Sequence, residues 1–157
     1  METDSQEHVL SDYRPIVPEQ LIAIGVNDLP VAWPHIEPML RKACEESRGE
    51  FTVEPVLSEM GLENGVERWK LLAIIRDKTV QAVMVVCLTQ NGERRSLDCL
   101  LASGDNAKEW PLVDEQFDAF ALAHGCTSVR IPCARKGWAK ALPHWRIVGY
   151  CMSREIG

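Results

Sequence analysis

The chain has 157 residues, 46% hydrophobic and 25% charged, which suits a single folded domain and excludes a disordered polymer. Acids outnumber bases 23 to 17, a net charge of −6. A surface of that sign is poorly suited to neutralising phosphates, so general nucleic-acid binding is not expected. The longest apolar runs, 71–75 and 83–88, are far too short to span a membrane, and residues 1–8 are polar and acidic. The expectation is a protein without a membrane span or secretory leader, at work in a cytoplasm.

Residues 1–20 stand apart. Glu2, Asp4, Glu7, Asp12 and Glu19 face one base, Arg14, and the stretch closes on Pro15 and Pro18. Two prolines three apart favour an extended chain and forbid a helix, which predicts an acidic N-terminal arm ahead of one domain over 21–157. Residues 21–26 read as a first strand. Asn27 or Asp28 can cap a following helix with Pro30 in its first turn; Pro34 breaks and restarts it, and a main helix runs to about Glu46. Ile36, Met39, Leu40 and Ala43 form its apolar stripe. A shorter helix covers 54–60.

Three strand-like segments follow: 68–76, 79–89 after an Asp77-Lys78 turn, and 94–102 after an Asn91-Gly92 hairpin signal. A Ser103-Gly104-Asp105-Asn106 loop leads to a helix over 107–124, striped by Trp110, Val113, Phe117, Phe120 and Ala121 and ended by Gly125. Residues 126–131 form a strand, 135–142 a short helix and 146–154 a closing strand. The order predicts an α/β fold: a mixed, mostly antiparallel sheet flanked by helices on both faces, with one parallel step through the long helix.

That element order, over residues 21–156, resembles the GNAT family of N-acetyltransferases. The segment from Ala134 to Leu142, with Val31-Ala32-Trp33-Pro34 and the Gly125-Cys126 helix exit, is similar to small GNAT-like proteins of tailed-phage and prophage genomes. The resemblance implies acetyl-CoA held between two diverging middle strands, its diphosphate on a Gly-rich turn at a helix N-terminus. Here that turn would be Ser103, Gly104, Asp105, Asn106, Ala107 and Lys108. Gly104 and Ala107 keep two small residues, but the amide or basic lead residue is missing. Asp105 puts a negative charge where a diphosphate belongs, offset in part by Lys108. The family's general acid, a tyrosine after an Ala-x-x-Leu pattern, is replaced after Ala139-Lys140-Ala141-Leu142 by Pro143, which has no proton to give. Asp98, between Leu97 and Cys99, is the candidate base; on an inner face its pKa would be raised, and by alternation it points instead to solvent.

Six bases (Arg130, Arg135, Lys136, Lys140, Arg146, Arg154) crowd the last 28 residues against Glu155 alone. That polarity suits an anionic ligand, the acidic arm of another copy, or a solvated face. Arg14, Tyr13, Arg135, Lys136, Trp138, Lys140 and Trp145 are the candidate interface residues; Trp69 and Trp110 belong to the core. His124 suits a helix end, and His144 a turn. The six cysteines include no CxxC pair and read as reduced thiols, not disulfides or metal ligands. Two functions stay open. One is a catalytically degenerate GNAT-like component of a phage particle or its assembly, bound to other virion proteins or to itself, with no cofactor. The other is an acetyl-CoA-dependent N-acetyltransferase acting on a small amine or a protein N-terminus.

Overall fold

A computed structural model describes residues 19–25, 27–47, 50–59, 69–104, 114–132, 138, 142, 144–149 and 152–156. Its elements are β1 (Glu19–Ile24), α1 (Leu29–Glu46), α2 (Val53–Glu59), β2 (Trp69–Arg76), β3 (Thr79–Asn91), β4 (Arg94–Gly104), α3 (Asp114–Ala123) and β5 (Ser128–Arg130). The sheet runs β1-β2-β3-β4-β5, antiparallel up to β4 and parallel between β4 and β5. The mixed sheet and its single parallel step agree with the sequence.

Alternation along the strands gives two buried faces. On one, α1 and α2 set Ile36, Leu40, Ala43 and Val56 against Leu71, Ala73, Val83 and Val85. On the other, α3 sets Phe117 and Ala121 against Leu72, Ile74, Met84 and Val86. Trp69 is half-buried on the first face, edge-on to Phe51 at 5.8 Å. Trp110 lies outside the described residues.

Pro34 does not break α1. The helix is continuous across Pro34 and Pro38, and with Pro30 these prolines recur every fourth residue on the exposed side. The carbonyls that lose an N–H partner, those of Pro30 and Pro34, therefore lie on the side open to water, while the buried stripe holds the axis against the sheet. Asp28 occupies the N-cap without a side-chain cap bond; the backbone amides of Asp28 and Leu29 instead donate to Gly25 at 3.1 and 3.0 Å.

At the far end of α3, Gly125 takes φ +76°, and the Cys126 and Gly125 amides donate to Ala121 and Leu122 at 2.9 and 3.0 Å. This paired closure needs a left-handed residue, so the predicted stop is built as expected. The predicted last strand is not: residues 145–149 and 152–156 have no regular structure, with Ile147 65% and Val148 78% exposed. Two adjacent large apolar residues followed by Gly149 break the alternation that a one-sided strand needs.

Candidate functional site

The site begins where two strands stop pairing. β4 and β5 pair over only three positions, Ser96 with Ser128, Leu97 with Val129 and Asp98 with Arg130. β4 then runs six residues further, paired to β3 on its other side. Among the described residues no strand covers the edge of Cys99–Gly104 that faces β5. The result is a fork in the sheet.

A bulge shapes it. Val86 pairs with Cys99 and Val85 with Leu101, so Leu100 is one residue too many. The extra residue reverses the facing of the rest of β4: Leu97 and Cys99 lie on the α3 face, and so does Ala102. Ser103 and Gly104, predicted in a loop, are strand residues opposite Val83 and Ala82. A side chain at Gly104 would overlap the Ala82 methyl and the Gln81 carbonyl, so the glycine is demanded by β3 and not by a phosphate. Asp105, Asn106, Ala107 and Lys108 lie outside the described residues.

A clamp closes the fork at its vertex, on the α1–α2 face. Asp98 Oδ1 accepts from Ser96 Oγ at 2.8 Å and Arg130 Nε at 2.9 Å. Its Oδ2 accepts from Thr89 Oγ1 at 2.9 Å and Arg130 Nη2 at 2.6 Å. The Asp98 side chain is 6% exposed and that of Arg130 is 49% exposed. Burial pushes this carboxyl up, but the hydrogen bonds from Arg130, Ser96 and Thr89 and the Arg130 charge outweigh it, and the net shift is downward. Both sequence-based expectations for Asp98 are thereby corrected. It does not point to solvent, and its pKa is not raised, because the fold surrounds the charged form with donors.

Across the sheet, on the α3 face, a pocket occupies the gap between the parting strands. It is lined by Cys99 of β4, Ile131 beyond β5, Met84, Asp114 and Phe117, with Trp138, Leu142 and Trp145 closing it. Its interior is about 30 Å³, room for about two waters. Phe117 and Trp145 have ring centroids 6.5 Å apart. Burial and the charge of Asp118 push the Asp114 carboxyl up, against His144 and a hydrogen bond from the Trp145 indole. The buried Cys99 thiol is pushed up to about 12, by burial first, with the Cys87 and Asp98 charges adding; it donates to the Leu101 carbonyl at 3.5 Å. Such a thiol stays protonated and inert.

Trp138 and Trp145 are thus half-buried pocket walls, and the Leu142 amide donates to the Trp138 carbonyl at 2.9 Å. Arg14, Tyr13, Arg135, Lys136 and Lys140 lie outside the described residues. His124 ends α3, its Nδ1 2.8 Å from the Phe120 carbonyl. The described cysteines, Cys44, Cys87, Cys99 and Cys126, are free thiols. Among the described residues no group of three His, Cys, Asp or Glu could hold a metal ion, and no helix is long and apolar enough to cross a membrane.

Sequence reasoning missed Arg130 as the partner of Asp98, and Thr89 and Ser96 with it. The register carries a signal in hindsight: Thr89 pairs with Ser96, and Asp98 is two residues on along the same face. Nothing in the chain marks Asp114 as a pocket residue.

The fork gives a fit test for acetyl-CoA. The uncovered edge of β4 suits the amides of a pantetheine arm. The pocket beside it, with an interior of about 30 Å³, is too small to take the arm. Taken together, the described residues do not fit the coenzyme as they stand.

No family model and no curated protein matches the chain. Solved structures do. An aminoglycoside acetyltransferase from an uncultured soil metagenomic sample, in complex with sisomicin, is 12% identical, with TM-score 0.57 over 90% of this chain and 100% of that one. A GNAT family acetyltransferase of Staphylococcus aureus is 8% identical, with TM-score 0.58 over 88% and 99%. A ribosomal-protein-alanine N-acetyltransferase of Brucella melitensis is 10% identical, with TM-score 0.58 over 88% and 99%. The sheet, its fork and the helices on both faces are therefore the fold of the GNAT acetyltransferases.

Proposed function

We propose that this chain is an acetyltransferase-like protein that works through protein–protein contacts rather than acyl transfer, as a component of a phage particle or of its assembly. The observation that carries the first half is the clamp at the fork. Acyl transfer to an amine gains from a proton acceptor poised near neutrality. Asp98 is shifted the other way by its donors, and the neighbouring Cys99 thiol is held protonated. The sequence adds Asp105 in the turn that would carry the diphosphate and Pro143 at the seat of the usual tyrosine. The phage setting rests on the resemblance of the segment from Ala134 to Leu142. The proposed partners are other virion proteins or further copies, met through the acidic arm and the basic last 28 residues.

A second reading has one observation in its favour. The edge of β4 from Cys99 to Gly104 is uncovered among the described residues, and an extended ligand rich in amides could pair with it. On that reading the chain is an acetyl-CoA-dependent N-acetyltransferase.

Thermal unfolding with and without acetyl-CoA separates the two. A ligand at a hundred times its dissociation constant adds about 2.7 kcal/mol of stability. The contact reading expects no shift at millimolar acetyl-CoA. A clear shift, with free CoA released when an amine is added, would replace it with the enzyme reading. Mixing full-length protein with a variant lacking residues 1–20 tests the partner half: unchanged assembly size would refute a role for the arm.

A further inference from the structure

The C-terminal stretch is anchored to the fold through one ring. From His144 to Ile156, Trp145 is the sole described residue that is not exposed. Ile147 is 65% and Val148 78% exposed, and a side chain added at Gly149 would meet nothing within 4 Å. Trp145 lines the pocket on the α3 face, its ring centroid 6.5 Å from that of Phe117. Its indole N–H donates to Asp114, the first residue of α3. Among the described residues the backbone bond of this stretch runs from the Trp145 amide to the Leu142 carbonyl at 3.1 Å and joins no strand.

A segment held by one half-buried ring, without strand pairing, loses little on leaving, so it opens at a lower free energy than the sheet beneath it. What it covers is Cys99, whose buried thiol lines the same pocket. Cys99 is also where β4 parts from β5 and its uncovered edge begins. We propose that residues 144–149 are a strap latched over the fork by the Trp145–Asp114 bond, and that it opens as a unit while the sheet stays folded. With the indole withdrawn, the pocket gains the volume of that ring, and the Cys99 end of the uncovered edge is reached from the α3 face. Such a strap serves either reading of the function, because what it governs is access to the fork.

The Cys99 thiol reports the opening. Iodoacetamide near pH 8, followed by peptide mapping, gives the rate of modification at Cys99 in the native full chain at rising, sub-denaturing urea. Opening a strap uncovers little surface, so that rate should climb with urea far less steeply than equilibrium unfolding does. Trp145→Phe keeps a ring and loses the N–H, and Asp114→Ala loses the acceptor. Each should speed Cys99 about tenfold, the scale of one hydrogen bond to a carboxylate, and the double variant should go no further than either. Val56→Ala, on α2 across the sheet, and Gln116→Ala, which loses the 2.8 Å bond from the Leu21 amide to α3, weaken the closed and open forms alike. Both should leave the Cys99 rate unchanged. A urea slope equal to that of unfolding, a Cys99 rate that follows global stability in Val56→Ala or Gln116→Ala, or single effects that multiply in the double variant would each overturn the proposal. The slope on the unaltered protein decides the matter even where a variant fails to fold.

Discussion

Asp98→Asn is the substitution that most directly tests the clamp. Asparagine keeps the shape of the side chain and removes its charge. Each carboxylate oxygen faces one Arg130 nitrogen and one hydroxyl, so in either amide orientation the NH2 group meets an Arg130 donor. The Ser96 and Thr89 bonds sit on a 6%-exposed side chain and contribute about 1 kcal/mol each, and the oxygen that asparagine retains keeps one of them. Arg130 is half-exposed, so its share is screened to about 1 kcal/mol. The expected loss is about 2 kcal/mol, or a fall of roughly 4–8 °C in Tm for a domain of this size. Thermal and urea unfolding of Asp98→Asn, Arg130→Met and the double variant measure it, and the cycle should show strong coupling. The acid limb gives a second check. The folded carboxyl lies below its usual range, so its contribution is complete at neutral pH and is lost as pH falls through the folded value. Asp98→Asn should therefore flatten the decline in stability at low pH. A loss under about 1 kcal/mol with additive single effects would refute the clamp.

Three further outcomes are expected at other positions along the chain. Gly104→Ala, which forces a methyl into Ala82 and the Gln81 carbonyl, should cost about 1–3 kcal/mol in urea unfolding. Asp77 and Lys78 both hold positive φ, 49° and 63°, in a two-residue hairpin that favours Asp-Gly; Lys78→Gly should raise the urea midpoint by roughly 0.5 kcal/mol of stability. Peptide mapping after iodoacetamide treatment of the native protein near pH 8 should show Cys87, half-buried on β3, modified before Cys99, whose thiol is pushed up to about 12.

The strands were legible because their signals are local. The apolar runs of β2 to β4 and the glycine after α3 each act within a few residues. Pro34 misled for a reason that lies outside its own segment: whether a helix survives a proline depends on what the opposite face packs against, here the sheet under Ile36 and Leu40. The last strand misled because Ile147 and Val148 carry strand propensity without a partner edge to satisfy it. The site was harder still. Asp98 looked like a solvent-facing residue by alternation, and only the register across β3, β4 and β5 brings Thr89, Ser96 and Arg130 onto it. Sequence separation hides such a cluster, since Arg130 is 32 residues from its partner.

The clamp and the bulge also separate geometry from chemistry in this fold. Leu100 and the short β4–β5 pairing are enough to open the sheet, and neither involves a titrating group. Holding the vertex of that opening needs a charge pair, and the more completely Asp98 is satisfied by donors the weaker a base it becomes. The groups that hold the fork open are therefore separable from any group that would do chemistry in it. For that reason fold likeness at 8–12% identity says where a ligand could lie, while the protonation states of Asp98 and Cys99 bear on whether anything happens to it there.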